Sequence, residues 1–148
     1  MSLEKWAEYA WLKAGPTSRD EIKGLLTIIA RDLKGARVDA ISEDRRFEAA
    51  FSAIRTAGNV ALRACGDRIA TLGGQHVKTL ESLEFTIQAD AKLIRKLKAF
   101  SQKRNATSYD SAGNVSREEL ASAIKAAAKL QIKVVAWLEK NHPELCKP

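Results

Sequence analysis

The chain has little with which to build a metal site. It holds two histidines and two cysteines in 148 residues. His76 and His142 have no partner at ligand spacing, so a zinc site is not expected. Cys65 and Cys146 lie far apart with no neighbouring Cys or His pair. The denser cysteine framework of small secreted domains is missing, and two free thiols in a reducing cytoplasm are the expectation. Eight Gly and three Pro are too few for a linker-rich, disordered or collagen-like chain. Long hydrophobic runs are absent too. The longest clean apolar stretch runs only from Leu25 to Ala30 and includes Thr27, so no bilayer span and no membrane partner are expected. The opening Met1-Ser-Leu-Glu-Lys lacks the basic-then-apolar layout of a signal peptide.

What is present suits one all-α domain over 1–148. Hydrophobic residues make up 45% of the chain and charged residues 29%, enough to bury a core and keep a solvated surface. Apolar spacing is close to 3.6 nearly everywhere. A first helix is expected from Leu3 to Ala14, ended by Gly15-Pro16. Ser18 and Glu21 have capping-box spacing and open a second helix, with Ile22, Leu26, Ile29 and Leu33 aligned and Gly35 near its end. Ser42 caps a third helix whose stripe is Phe47, Phe51, Ile54, Gly58, Leu62 and Cys65, with Gly66 placed as its C-terminal cap. Residues 66–75 read as a loop, followed by a short helix from His76 to Leu83. A long helix covers Ala89 to at least Arg104, and Asp110 to Asn114 form a turn. Ser116 and Glu119 form a second capping box, before a helix with the stripe Leu120, Ile124, Ala127, Gln131, Val135 and Leu138. Short connections between amphipathic helices predict an up-and-down bundle.

The formal charge is +7, and six of those charges come from one stretch. Between Ala91 and Tyr109 there is no acid, only Lys92, Arg95, Lys96, Lys98, Lys103 and Arg104. At about 100° per residue, Leu93, Leu97 and Phe100 define the buried face and the first five cations point away from it. Arg104 falls back onto that apolar stripe. An unpartnered guanidinium there is costly, so it needs a neighbouring carboxylate, a carbonyl or a bound phosphate. Lys125, Lys129 and Lys133 form a regular row opposite the last helix's apolar stripe and read as an exposed face. Trp6, Tyr9 and Trp11 read as packing residues of the first helix.

The segment Lys103-Arg104-Asn105-Ala106-Thr107-Ser108-Tyr109-Asp110 resembles the signature of HEPN domains, in which an Arg, often followed by a polar residue, precedes a His by four to six positions. The setting is similar as well: a basic penultimate helix, the motif at its end, a turn, and a long closing helix. The resemblance covers residues 42–144, with 1–40 as the N-terminal helical extension of a bacterial branch. It implies a four-helix up-and-down bundle, a homodimer, and a groove for nucleotide or RNA phosphate lined by Arg104, Asn105, Tyr109, Asp110 and Lys103. No cofactor or metal is implied. In catalytic members the Arg holds phosphate and the His handles protons. Here Arg104 and Tyr109 take those two positions, giving Arg-x4-Tyr.

A phenol titrates near pH 10 and imidazole near 6.5, so Tyr109 is a poor proton acceptor at neutral pH. Phosphate binding without efficient catalysis is therefore the leading expectation. The resemblance also implies two alternatives. One is a metal-independent ribonuclease of toxin type, using Tyr109 or His76. The other is a partner subunit of a small nucleotidyltransferase, as in toxin–antitoxin pairs. From the residues alone, Asp110 either pairs with Arg104 or caps the following turn.

Overall fold

The structure, a computed structural model, describes residues 1–70, 75–109 and 114–146, with the backbone alone for 75–76 and 106–109. The chain forms α1 (Leu3–Glu8), β1 (Leu12–Ala14), α2 (Arg19–Ala36), α3 (Glu43–Ala64), β2 (Asp67–Ile69), α4 (Gln75–Glu81), α5 (Leu83–Thr86), α6 (Ala91–Tyr109) and α7 (Arg117–Asn141), closed by a 3-10 turn at Pro143–Leu145. It is an all-α helical bundle with one small two-stranded ribbon. Helix starts follow the serines. Ser18, Ser42 and Ser116 each accept a backbone N–H three residues on, at 3.1, 3.4 and 3.0 Å. Asp90 does the same for Leu93 at 2.8 Å and so starts α6. The second box is reciprocal, since the Glu119 carboxylate also accepts the Ser116 N–H at 2.9 Å.

Helix α3 is the axis of the molecule. It packs most extensively on α2 and α7, and also meets α4, α5 and α6. Phe47, Phe51, Ile54 and Leu62 of its expected stripe are buried, whereas Cys65 is exposed at the helix end. Gly66 follows at φ +82°, the left-handed cap that glycine adopts without a Cβ penalty. On α7 the buried line is Leu120, Ala123, Ala127, Leu130, Val134 and Leu138. Ile124, Gln131 and Val135, expected in that seam, sit at its half-buried margin. Small alanines at the contact are what allow α7 to lie close against α3.

The first helix stops early. Glu8 ends α1, and Ala10 takes φ +62°. The Trp11 N–H then reaches the Trp6 carbonyl at 2.9 Å, and the Ala10 N–H reaches Ala7 at 3.0 Å. This is a Schellman ending with alanine where glycine is usual, and the Trp6 and Trp11 rings meet edge to face at 5.7 Å. The chain turns and Leu12–Ala14 becomes β1 instead of continuing the helix. Its partner β2 lies in the stretch expected to be loop. The register is antiparallel, with Leu12 opposite Ile69, Lys13 opposite Arg68 and Ala14 opposite Asp67. Leu12 and Ile69 pack with Trp6, Leu62 and Phe85 into a small second core, which seats the ribbon on the end of α3.

Candidate functional site: a cationic cleft along the central helix

The buried face of α6 is as expected: Leu97 is fully buried and Phe100 nearly so, with Leu93 half-buried. Arg104 continues that line, and its side chain keeps only 22% of its exposure. Its Nε lies 3.8 Å from the Glu48 carboxylate of α3, and its Nη1 donates to Asn105 Oδ1 at 3.4 Å. Lys103 faces elsewhere, toward Glu119 at the start of α7, 3.1 Å away. The structure thus brings Arg104 and Asn105 together and separates Lys103 from them. The side chain of Tyr109 and the whole of Asp110 lie outside the described residues, as does the side chain of His76. Lys92, Arg95 and Lys96 are solvent-exposed, while Lys98 meets Glu81 at 3.4 Å. Lys125, Lys129 and Lys133 are exposed as expected.

The larger concentration of charge lies beside Arg104, on α3. Arg55, Asn59 and Arg63 recur at i, i+4 and i+8, which places them within one sector of about 80° and along about 12 Å of helix. Together with Lys13, Arg68, Ile69 and Thr79 they line a cleft of about 500 Å³. The ribbon supplies two of the cations for a geometric reason. Leu12 and Ile69 are turned toward the small core, so the next pair, Lys13 and Arg68, shares the opposite face. Two like charges directly across a ladder are destabilising. Thr79 comes from α4, where that helix meets α3 at Gly58.

Arg55 is half-buried, and its pKa is lowered from the usual arginine value, mostly by burial and then by repulsion from Arg104; Asp32 partly offsets both. Arg104 does not line the cleft, but its charge bears on Arg55, which does. One carboxylate holds the far end in place. Glu21 Oε2 lies 3.1 Å from both Arg63 Nη1 and Arg68 Nη2. Its Oε1 accepts the Thr17 hydroxyl at 2.8 Å. That hydroxyl does most to hold the Glu21 pKa below its ordinary value; burial opposes it, and the Arg68 and Arg63 contacts add to the lowering. The spacing of Ser18 and Glu21 predicts a reciprocal capping box. Ser18 does cap the helix, but the carboxylate is spent on the arginines.

A sequence signal for this site exists. In the largely apolar second half of α3, polar residues at four-residue spacing, Arg55, Asn59 and Arg63, mark an uncovered face. The ribbon contribution has no comparable signal, because three-residue strands are too short to show alternation.

A second groove, of about 590 Å³ between α2 and α7, has an apolar floor that includes Leu26, Val135 and Leu138. Arg19, Lys23, Asp20 and Glu139 on its rim carry both signs, so it lacks the single-signed field of the cationic cleft. Among the described residues, no group of three or more His, Cys, Asp and Glu is placed to hold a metal ion, and no helix is long and apolar enough to cross a membrane. Compared with known proteins, the chain matches no family model, no curated protein and no solved structure.

Proposed function

We propose that this chain is a HEPN-like helical module that binds the phosphate of a nucleotide or RNA in the basic groove beside Arg104, and that it does so without efficient catalysis. The main contact surface is the cleft of Lys13, Arg55, Arg63 and Arg68, with Arg104 and Asn105 at its flank. A single observation carries this reading: Lys13, Arg55, Arg63 and Arg68, from β1, α3 and β2, line one cleft of about 500 Å³. A cluster of cations around one opening focuses a positive field there and draws anions to it. Arginine suits the task because its planar fork meets two phosphate oxygens at once.

The test is a titration of a fluorescently labelled nucleotide and a labelled short RNA, followed by anisotropy. Replacing Arg55 or Arg104 with Ala should weaken binding by about tenfold or more, with helix content retained. Affinity should also fall steeply as salt is raised. Unchanged binding in both variants, or no binding at moderate salt, would overturn the reading.

A further inference from the structure

Of Trp6, Tyr9 and Trp11, the first is buried and the last half-buried, but Tyr9 is 53% exposed and so is not the packing residue its place in the sequence suggests. We infer that Tyr9 is a stacking platform for a nucleobase whose phosphate lies in the neighbouring cationic cleft. The ligand is then an unpaired nucleotide, free or within a single strand. This rests on the phosphate-binding reading above and adds recognition of the base to it.

Three observations support the assignment. The first is that the Tyr9 ring is held in place although it is exposed. The Tyr9 N–H donates to the Lys5 carbonyl at 3.0 Å as α1 ends, and Ala10 then turns the chain at φ +62°. The ring leans on Trp11, with centroids 5.0 Å apart and planes inclined by 43°. A ring set in this way meets a base at little cost in side-chain freedom. The second is that its backing is itself fixed. The Lys78 ammonium of α4 sits 3.5 Å from the Trp11 ring centroid and 5.1 Å from that of Trp6, and Trp6 belongs to the small second core. Tyr9 is the most exposed ring of this group. The third is continuity with the cleft, to which two segments lead directly. Trp11 precedes Lys13 by two residues, about 7 Å along the ribbon, and Lys78 adjoins Thr79. The Ala70 N–H carries the ladder on to the Trp11 carbonyl at 2.9 Å, so the ribbon sets that spacing. Cations for the phosphates beside an aromatic face for the base are the pairing by which proteins hold single-stranded nucleic acid.

Calorimetric titration of the full chain with ribose 5-phosphate, AMP, a short RNA strand of adenines and the duplex that strand forms with its complement tests this. AMP should bind at least about fivefold more tightly than ribose 5-phosphate. The single strand should bind more tightly than the duplex, although charge density alone favours the duplex. Tyr9→Ala should abolish these gains and leave the ribose 5-phosphate affinity and the melting temperature unchanged, while Tyr9→Phe should keep them. A Tyr9-dependent gain for AMP alone would make the free nucleotide the ligand, and one for the strand alone would make it a single strand. Both outcomes support the inference. No gain for either base-bearing ligand, or a gain that survives Tyr9→Ala, would overturn the stacking while leaving the phosphate reading standing. An equal loss of ribose 5-phosphate binding in Tyr9→Ala would show that Tyr9 acts only through the shape of the cleft, and would overturn the stacking as well. Binding of none of the four ligands would overturn both readings.

Discussion

Glu21 and Arg68 are 47 residues apart in sequence, and their side chains meet at 3.1 Å. The contact ties the first turn of α2 to the second strand of the ribbon. Arg63 joins the same carboxylate from the end of α3, so one acid fixes the direction of two cleft arginines.

Glu21→Gln should therefore destabilise the fold by about 1 kcal/mol at neutral pH, the usual scale for a partly exposed ion-pair network. The sign with pH is fixed by the lowered folded-state pKa. The carboxylate contributes fully above the ordinary glutamate range, near pH 4.3, and its contribution is lost as pH falls through the lower folded value. Urea unfolding of both proteins between pH 3 and 7 should show their stability gap closing in acid. A gap that stays constant across that range would show that the carboxylate charge plays no part.

Ala10 occupies a left-handed position that favours glycine. Ala10→Gly should raise stability by about 1 kcal/mol, since the Cβ penalty there exceeds the added chain entropy. Thermal melting checks this, and a lower melting temperature would mean that the turn is not formed as described.

Gly58 has the opposite expectation. Alanine is the better helix former by about 1 kcal/mol, but a Cβ at this position would stand 2.8 Å from Thr79 Cγ2 and 3.2 Å from the Thr79 carbonyl. Overpacking of this kind costs about 1–3 kcal/mol, so Gly58→Ala should destabilise on balance. Because Thr79 lines the cleft, the same variant should also weaken anion binding. A stabilised Gly58→Ala protein would refute the close approach of α4 to α3.

The core offers a larger effect. Phe47 is fully buried, and its ring meets that of Phe100 edge to face at 6.0 Å. Phe47→Ala should cost about 3–5 kcal/mol in denaturant unfolding, because it leaves a cavity where α3 meets α6. A loss under 1 kcal/mol would mean that the two helices do not share this core.

Much of the fold is legible in the sequence because its signals are local. The serine caps of α2, α3 and α7, the glycine after α3 and the 3.6-residue apolar spacing all act within a turn or two of chain. The end of α1 is not legible: Ala10 carries no stop signal, and the cap is held by the packing of Trp6 on Trp11. The ribbon depends on contacts between residues more than fifty positions apart, which no local pattern records. The seam position of Arg104 follows from periodicity, but its neighbours Glu48 and Arg55 on α3 do not. The acid-free stretch of α6 holds more cations in sequence, but those of α3 and the ribbon gather around an opening, which a linear count of charges does not record.

Crystals soaked with tungstate, a phosphate mimic with a strong anomalous signal, test the central claim most directly. The expected result is a leading anomalous peak within hydrogen-bonding reach of the Arg55, Arg63 and Arg68 guanidiniums. Peaks confined to the lysine row of α7 or the outer face of α6, with the cleft vacant, would contradict it.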